Sequence, residues 1–181
     1  NRLTFAQTTI GYDLEFTPAT GHGFRYQNGN LEKLNFGNTV TPVISITGLH
    51  FWGRAEFFTS ISLPSININK RQPFSFSRYA GTGFKFFVLP IRKRGISPYV
   101  GSSIGAFAFK VDDAATLKRV EFPLLAGLTY SFNHGLLEVG VNYYARNKYD
   151  YFVSKNVVAP LNTPHLAFVI DYKYSYWNKK T

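Results

Sequence analysis

His165-Leu166-Ala167-Phe168-Val169-Ile170-Asp171-Tyr172-Lys173-Tyr174-Ser175-Tyr176-Trp177 is the stretch whose reading decides the fold. Leu166, Phe168, Ile170, Tyr172, Tyr174 and Tyr176 share one parity, and Ala167, Val169, Asp171, Lys173 and Ser175 share the other. A period of two with one apolar and one polar face is the mark of a β-strand. The run is long enough to cross a bilayer at a tilt of about 45°.

The same alternation recurs upstream. Ile10, Tyr12, Leu14 and Phe16 oppose Gly11, Asp13 and Glu15. Ala55, Phe57, Thr59 and Ile61 oppose Arg54, Glu56 and Ser60. Val120, Phe122, Leu124, Ala126, Leu128 and Tyr130 oppose Arg119, Glu121, Gly127 and Thr129, while Leu137, Val139 and Val141 oppose Glu138 and Gly140. Residues around 39–48, 76–89 and 97–109 complete a predicted set of eight strands, with Arg78 on the wrong parity for its own strand. Long connections (about 18–37, 64–73, 111–116 and 150–164) alternate with short ones (48–53, 92–95 and 133–135). That alternation belongs to an up-and-down barrel, so the expectation is an all-β, eight-stranded antiparallel barrel forming a single domain over residues 1–181.

Composition separates a membrane barrel from a soluble one. Aromatic residues make up 18% of the 181 residues, yet mean hydropathy is −0.11. No run approaches the roughly 18 to 20 apolar residues of a spanning helix. The polar face carries Asp13, Glu15, Glu56, Glu121, Glu138 and Asp171 together with Arg54, Lys85, Arg119 and Lys173, with Arg146 near a rim. The two signs nearly cancel, as an interior ion-pair network requires. Tyr143, Tyr144, Tyr174, Tyr176 and Trp177 gather at strand ends, as aromatic girdles do at membrane interfaces.

With those strands in place, the chain resembles the small eight-stranded bacterial outer-membrane barrels, the barrel domains of outer-membrane proteins A and X. The likeness is carried by Ile96-Ser97-Pro98-Tyr99-Val100-Gly101 after a basic turn, by Val120-Glu121-Phe122-Pro123-Leu124-Leu125, and by the closing Tyr176-Trp177. It implies an integral outer-membrane location, long loops outside, short turns on the periplasmic side, and an assembly signal in the last strand. With Asn1 not expected to be a translational start, the small-residue spacing of Thr4-Phe5-Ala6 resembles that before a signal-peptidase cut, and the expectation is that Gln7 would be the mature start.

The net charge of +10 falls at both ends of the expected barrel, on Arg2, Arg92, Lys93, Arg94, Lys179 and Lys180 at one rim and on loop bases at the other. Basic rims fit lipopolysaccharide phosphates and anionic headgroups. Nucleic-acid binding, the ordinary guess for so basic a chain, is discounted because no continuous basic face forms.

No catalytic residues, cofactor or metal ligands are expected. There is no Cys, and His22, His50, His134, His165 and Ser154 show no triad spacing. An eight-stranded lumen is about wide enough for its own side chains, so the interior charges read first as structural pairs and a narrow pore comes second. The expected role is a structural or interaction subunit without catalysis. Contacts would pass to other outer-membrane proteins through loop residues Phe24, Arg25, Tyr26, Phe36, Tyr149, Tyr151 and Phe152. A lipid A-modifying enzyme is the remaining alternative.

Overall fold

Period-two alternation becomes, in the computed structural model, a wall of strands with apolar side chains outside and polar ones within. The structure describes residues 7–68, 74–91, 94–111, 116–132 and 134–175. Thr4-Phe5-Ala6, Arg92-Lys93, Asn133, Tyr176-Trp177 and the basic tail lie outside the described residues.

Fourteen strands are described: β1 (Gln7–Thr17), β2 (His22–Gln27), β3 (Asn30–Asn35), β4 (Thr39–His50), β5 (Ala55–Ser62), β6 (Ile66–Asn67), β7 (Phe74–Phe87), β8 (Gly95–Val111), β9 (Thr116–Glu121), β10 (Leu124–Phe132), β11 (Gly135–Tyr143), β12 (Lys148–Ser154), β13 (Val157–Asn162) and β14 (Leu166–Ser175). The main sheet runs β1-β14-β11-β10-β8-β7-β5-β4, and β4 pairs back with β1 from Thr39↔Thr17 to Leu49↔Gln7. The main sheet is therefore closed into an all-antiparallel barrel of eight wall strands. The sixth wall strand is β9 plus β10, interrupted at Phe122-Pro123, where proline has no N–H to give the ladder.

Burial follows parity. On β1, Ile10, Tyr12 and Leu14 are 50%, 61% and 54% exposed, while Glu15 on the other parity is buried. Val120, Phe122, Leu124, Leu128, Tyr130, Val139, Phe168 and Ile170 continue this outward apolar belt around the wall. Large apolar side chains facing outward over a charged interior reverse the arrangement of a water-soluble barrel. They match a wall built to face hydrocarbon.

The runs 18–37 and 150–164, expected as loops, are hairpins instead. β2 and β3 turn at Asn28-Gly29, whose φ values of 51° and 83° are the pair a tight hairpin demands. β12 and β13 form the second hairpin, and Asn162↔His22 joins the two into a sheet ordered β12-β13-β2-β3. Behind this sheet Leu34, Phe36, Tyr149, Tyr151, Ala159 and Leu161 pack on Phe76, Phe107, Phe109, Val111 and Leu117 from β7, β8 and β9. The barrel is thus roofed by an apolar core. A second cluster, Phe87, Ile91, Tyr99, Leu125 and Leu136, occupies the end with the short turns. There the β4–β5 link places Phe51 and Trp52 at φ values of 49° and 56°, a left-handed conformation unusual for bulky residues.

Candidate functional site

Between the two apolar clusters lies the charged lumen, arranged in two groups. The lower group is held by Lys85 on β7 and Lys173 on β14. Lys173 Nζ stands 2.6 Å from Glu56, 2.9 Å from Glu138 and 3.2 Å from Asp171. Lys85 Nζ donates to Glu138 and lies 3.5 Å from Glu56 and 3.9 Å from Asp171. Thr129 adds a hydroxyl donor to Glu138 at 3.1 Å. Lys173, Glu56 and Glu138 are each 1% exposed, a depth at which charges persist only when paired and hydrogen-bonded. Asp13 borders this group, directly opposite Asp171 in the β1–β14 register.

The upper group centres on Arg78. Its Nε donates to Glu121 at 2.9 Å, and its Nη1 donates to Glu15 at 3.2 Å and Thr17 at 3.3 Å. Its guanidinium lies 3.7 Å from the ring centroid of Tyr144 and 4.9 Å from that of Phe76, a cation–π stack on both rings. Asn142 closes the group by donating to Glu15 at 3.2 Å. A cavity of about 120 Å³ separates the two groups, lined in part by Ser45, Ser60, Ser103, Gly81 and Gly105.

The structure thus places Asp13, Glu15, Glu56, Lys85, Glu121, Glu138, Asp171 and Lys173 on the lumen side and corrects two other assignments. Arg54 is exposed, because it caps the link after β4, where its N–H bonds His50 and Phe51 carbonyls. Arg119 has inward parity but is exposed and donates to the Lys118 carbonyl. Its segment β9 pairs only with β8, so the wall is open on its other side. Arg78, expected on the wrong parity of its strand, is the base the upper group needs. The register passes from Arg78↔Phe107 to Gly81↔Gly105, so residues 79 and 80 stand opposite the single residue 106. This β-bulge flips the parity of everything above it and turns Arg78 inward. The near-cancellation of interior charge therefore fails, leaving six acids against three bases among the described residues.

Of the loop residues expected to make contacts, Phe36, Tyr149 and Tyr151 are buried in the roof. Tyr151 donates its hydroxyl to the Phe24 carbonyl and accepts from the Phe24 N–H at 2.7 Å. Burial raises both tyrosines above the ordinary phenol range. Phe24 is partly buried, and Arg25 pairs with Glu32 at 2.6 Å. Tyr26 and Phe152 are exposed at 39% and 62%, and each faces an exposed cross-strand partner, Leu31 and Val158.

The histidines sit in separate settings. His22 contacts the Asn162 amide at 2.7 Å, His50 lies edge-on to Phe57, and His165 stacks on Tyr143. Desolvation, with Lys33 nearby, lowers the His22 pKa below its ordinary value. Among the described residues no three His, Cys, Asp or Glu side chains are grouped to hold a metal ion.

No protein-family model and no curated protein sequence matches the chain. Solved structures do. Neisserial surface protein A aligns over 93% of this chain and 97% of its own, at 15% identity and a TM-score of 0.56. The outer membrane protein OprG from Pseudomonas aeruginosa aligns over 94% and 96%, at 11% identity and a TM-score of 0.63. At such identities the likeness concerns backbone architecture, and it covers nearly the whole of each chain. With the closed register, the outward apolar belt and the charged lumen, it establishes that this chain has the fold of the small eight-stranded outer-membrane β-barrels.

Proposed function

We propose that the chain is an integral outer-membrane barrel that works without catalysis, as a structural or interaction subunit whose contacts run through its roof and outer wall. The observation that carries this reading is the obstructed lumen. Apolar clusters occupy both ends, and ion pairs cross the middle, so binding surface is left on the outside. The exposed pairs Tyr26–Leu31 and Phe152–Val158 lie on an ordered sheet, which lowers the entropic cost of contacting another outer-membrane protein. Exposed Lys118, Arg119, Arg146 and Lys148 lie near the top of the apolar belt, a position that favours lipopolysaccharide phosphates.

The test is mild-detergent extraction from native outer membranes, native-size separation, and mass spectrometry of what co-migrates. Migration within a defined larger complex is the expected result. Migration as one barrel plus detergent, with stepwise conductance in planar bilayers or an altered lipid A mass profile on deletion, would replace the subunit reading with a pore or an enzyme.

A further inference from the structure

Asp13 faces Asp171 across the β1–β14 seam, and like charges directly opposite one another in a sheet repel. Among the described residues Asp13 makes no ion pair, while Asp171 shares Lys85 and Lys173 with Glu56 and Glu138. The lower group therefore sets four carboxylates against two ammonium groups. Several of its oxygens also lack a protein partner: Asp13 Oδ1, Asp171 Oδ1, Glu56 Oε2 and Ser45 Oγ are buried without a hydrogen bond from the chain. Asp171 and Ser45 are each only 3% exposed.

Two of these atoms lie close together beside Gly11. A Cβ placed on Gly11 would stand 2.3 Å from Ser45 Oγ, 3.0 Å from Asp171 Oδ1 and 3.2 Å from Lys173 Cγ. Asp13, Ser45 and Asp171 line the same 120 Å³ cavity. A surplus of buried carboxylate has to be compensated, by pairing, by protons or by a metal ion.

We propose that the lumen binds one hard divalent cation, partly hydrated, between the carboxylates of Asp13 and Asp171 and the hydroxyl of Ser45. The donors are all oxygen, the choice of hard ions, and the surplus of two negative charges equals the charge of one such ion. Two carboxylates and a hydroxyl do not make a closed protein cage. Magnesium-type ions are characteristically held in this way, by one or two carboxylates while keeping several waters. The adjoining cavity has room for those waters, at about 30 Å³ each. Glycine at position 11 lets Ser45, Asp171 and Lys173 close on the backbone, where any larger side chain would push them apart.

The experiment is urea unfolding of the full chain refolded into phosphatidylcholine vesicles, at fixed pH and matched ionic strength. The salts compared are N-methylglucamine chloride with EDTA, NaCl, MgCl₂ and CaCl₂. MgCl₂ or CaCl₂ is expected to raise the wild-type midpoint saturably, and NaCl is not. The D13N/S45A double variant is expected to lose that rise and, in EDTA, to unfold at or above the wild-type midpoint because the repulsion is gone. D13N alone serves the same purpose if the double variant does not fold. A wild-type midpoint indifferent to the cation would overturn the proposal, leaving the carboxyl pair to share a proton. So would an equal response to NaCl, or a rise that persists in D13N/S45A, which would put the ion elsewhere.

Discussion

Replacing Arg78 by methionine separates a lumen with surplus acid from a balanced one. Arg78 is the base of the upper group, and its removal leaves Glu15 and Glu121 facing each other without a counter-charge. Breaking a buried ion pair by removing one partner costs about 3 to 5 kcal/mol, because the other charge is left uncompensated. Here two carboxylates are stranded and the stack on Tyr144 is lost, so Arg78→Met should reach the top of that range. Glu121→Gln removes a surplus charge and leaves Arg78 its partner Glu15, so it should cost less than half as much. At about 1.4 kcal/mol per factor of ten, the two variants should differ more than tenfold in unfolding equilibrium. Urea unfolding in lipid vesicles, followed by tryptophan fluorescence, gives both values, with equal slopes as the check that the unfolded states match. Equal losses for the two variants, or an unchanged midpoint for Arg78→Met, would refute the charge accounting.

The lower group should show the same asymmetry: Lys173→Met should lower the unfolding midpoint more than Glu138→Gln, and a midpoint unchanged by Glu138→Gln would argue against a packed network there. Phe107→Ala should remove about 3 to 5 kcal/mol from the roof, read as lost amide protection in β12 and β13 while β1 and β14 stay protected; uniform loss would mean roof and barrel unfold as one unit. Phe152→Lys, on an exposed strand face, should change stability by no more than about 0.5 kcal/mol but weaken co-migration with any partner. His22 has a lowered pKa, so its contribution is whole above the ordinary histidine value and declines as pH falls below it, where the unfolded chain takes up the proton first. Lower amide protection at the His22–Asn162 joint below the ordinary histidine value, after correction for the intrinsic pH dependence of exchange, checks this, and the effect should be small because the ring is largely solvated.

Parity made the barrel legible and also marked where legibility stopped. Eight wall strands follow from alternation because a one-residue slip would put a whole charged face into lipid. Three features escaped. The bulge at residues 79 and 80 costs one residue of phase, which alternation cannot locate; the signal was Arg78 itself, an Arg stranded on an apolar parity beside Phe76. Arg119 escaped because inward parity means burial only where the neighbouring strand continues, and β11 has no ladder with β9. The roof was hidden behind polar composition, although Asn28-Gly29 between alternating residues was a hairpin signal in plain view. Composition alone makes the aromatics of those runs look like anchors for partners, whereas Phe36, Tyr149 and Tyr151 serve the chain's own packing. The lumen's acids were readable as residues but the charge sum was not, since the bulge brings Arg78 in while Arg54 and Arg119 stay outside.

The seam that closes the barrel does not stop at the rim. β1 meets β14 in the wall, and above it β2 meets β13 and Tyr151 clasps Phe24, so contacts 127 or more residues apart in the chain stack along one line. Such distant partners come together late, after the local hairpins have formed. The roof is therefore a gauge of completion: its clasp can fasten only on a cylinder whose first and last strands have already met. An unfinished barrel would show its hairpins loose and open to proteases, and a finished one would show them sealed. The surface offered to any partner would thus appear at the moment insertion ends.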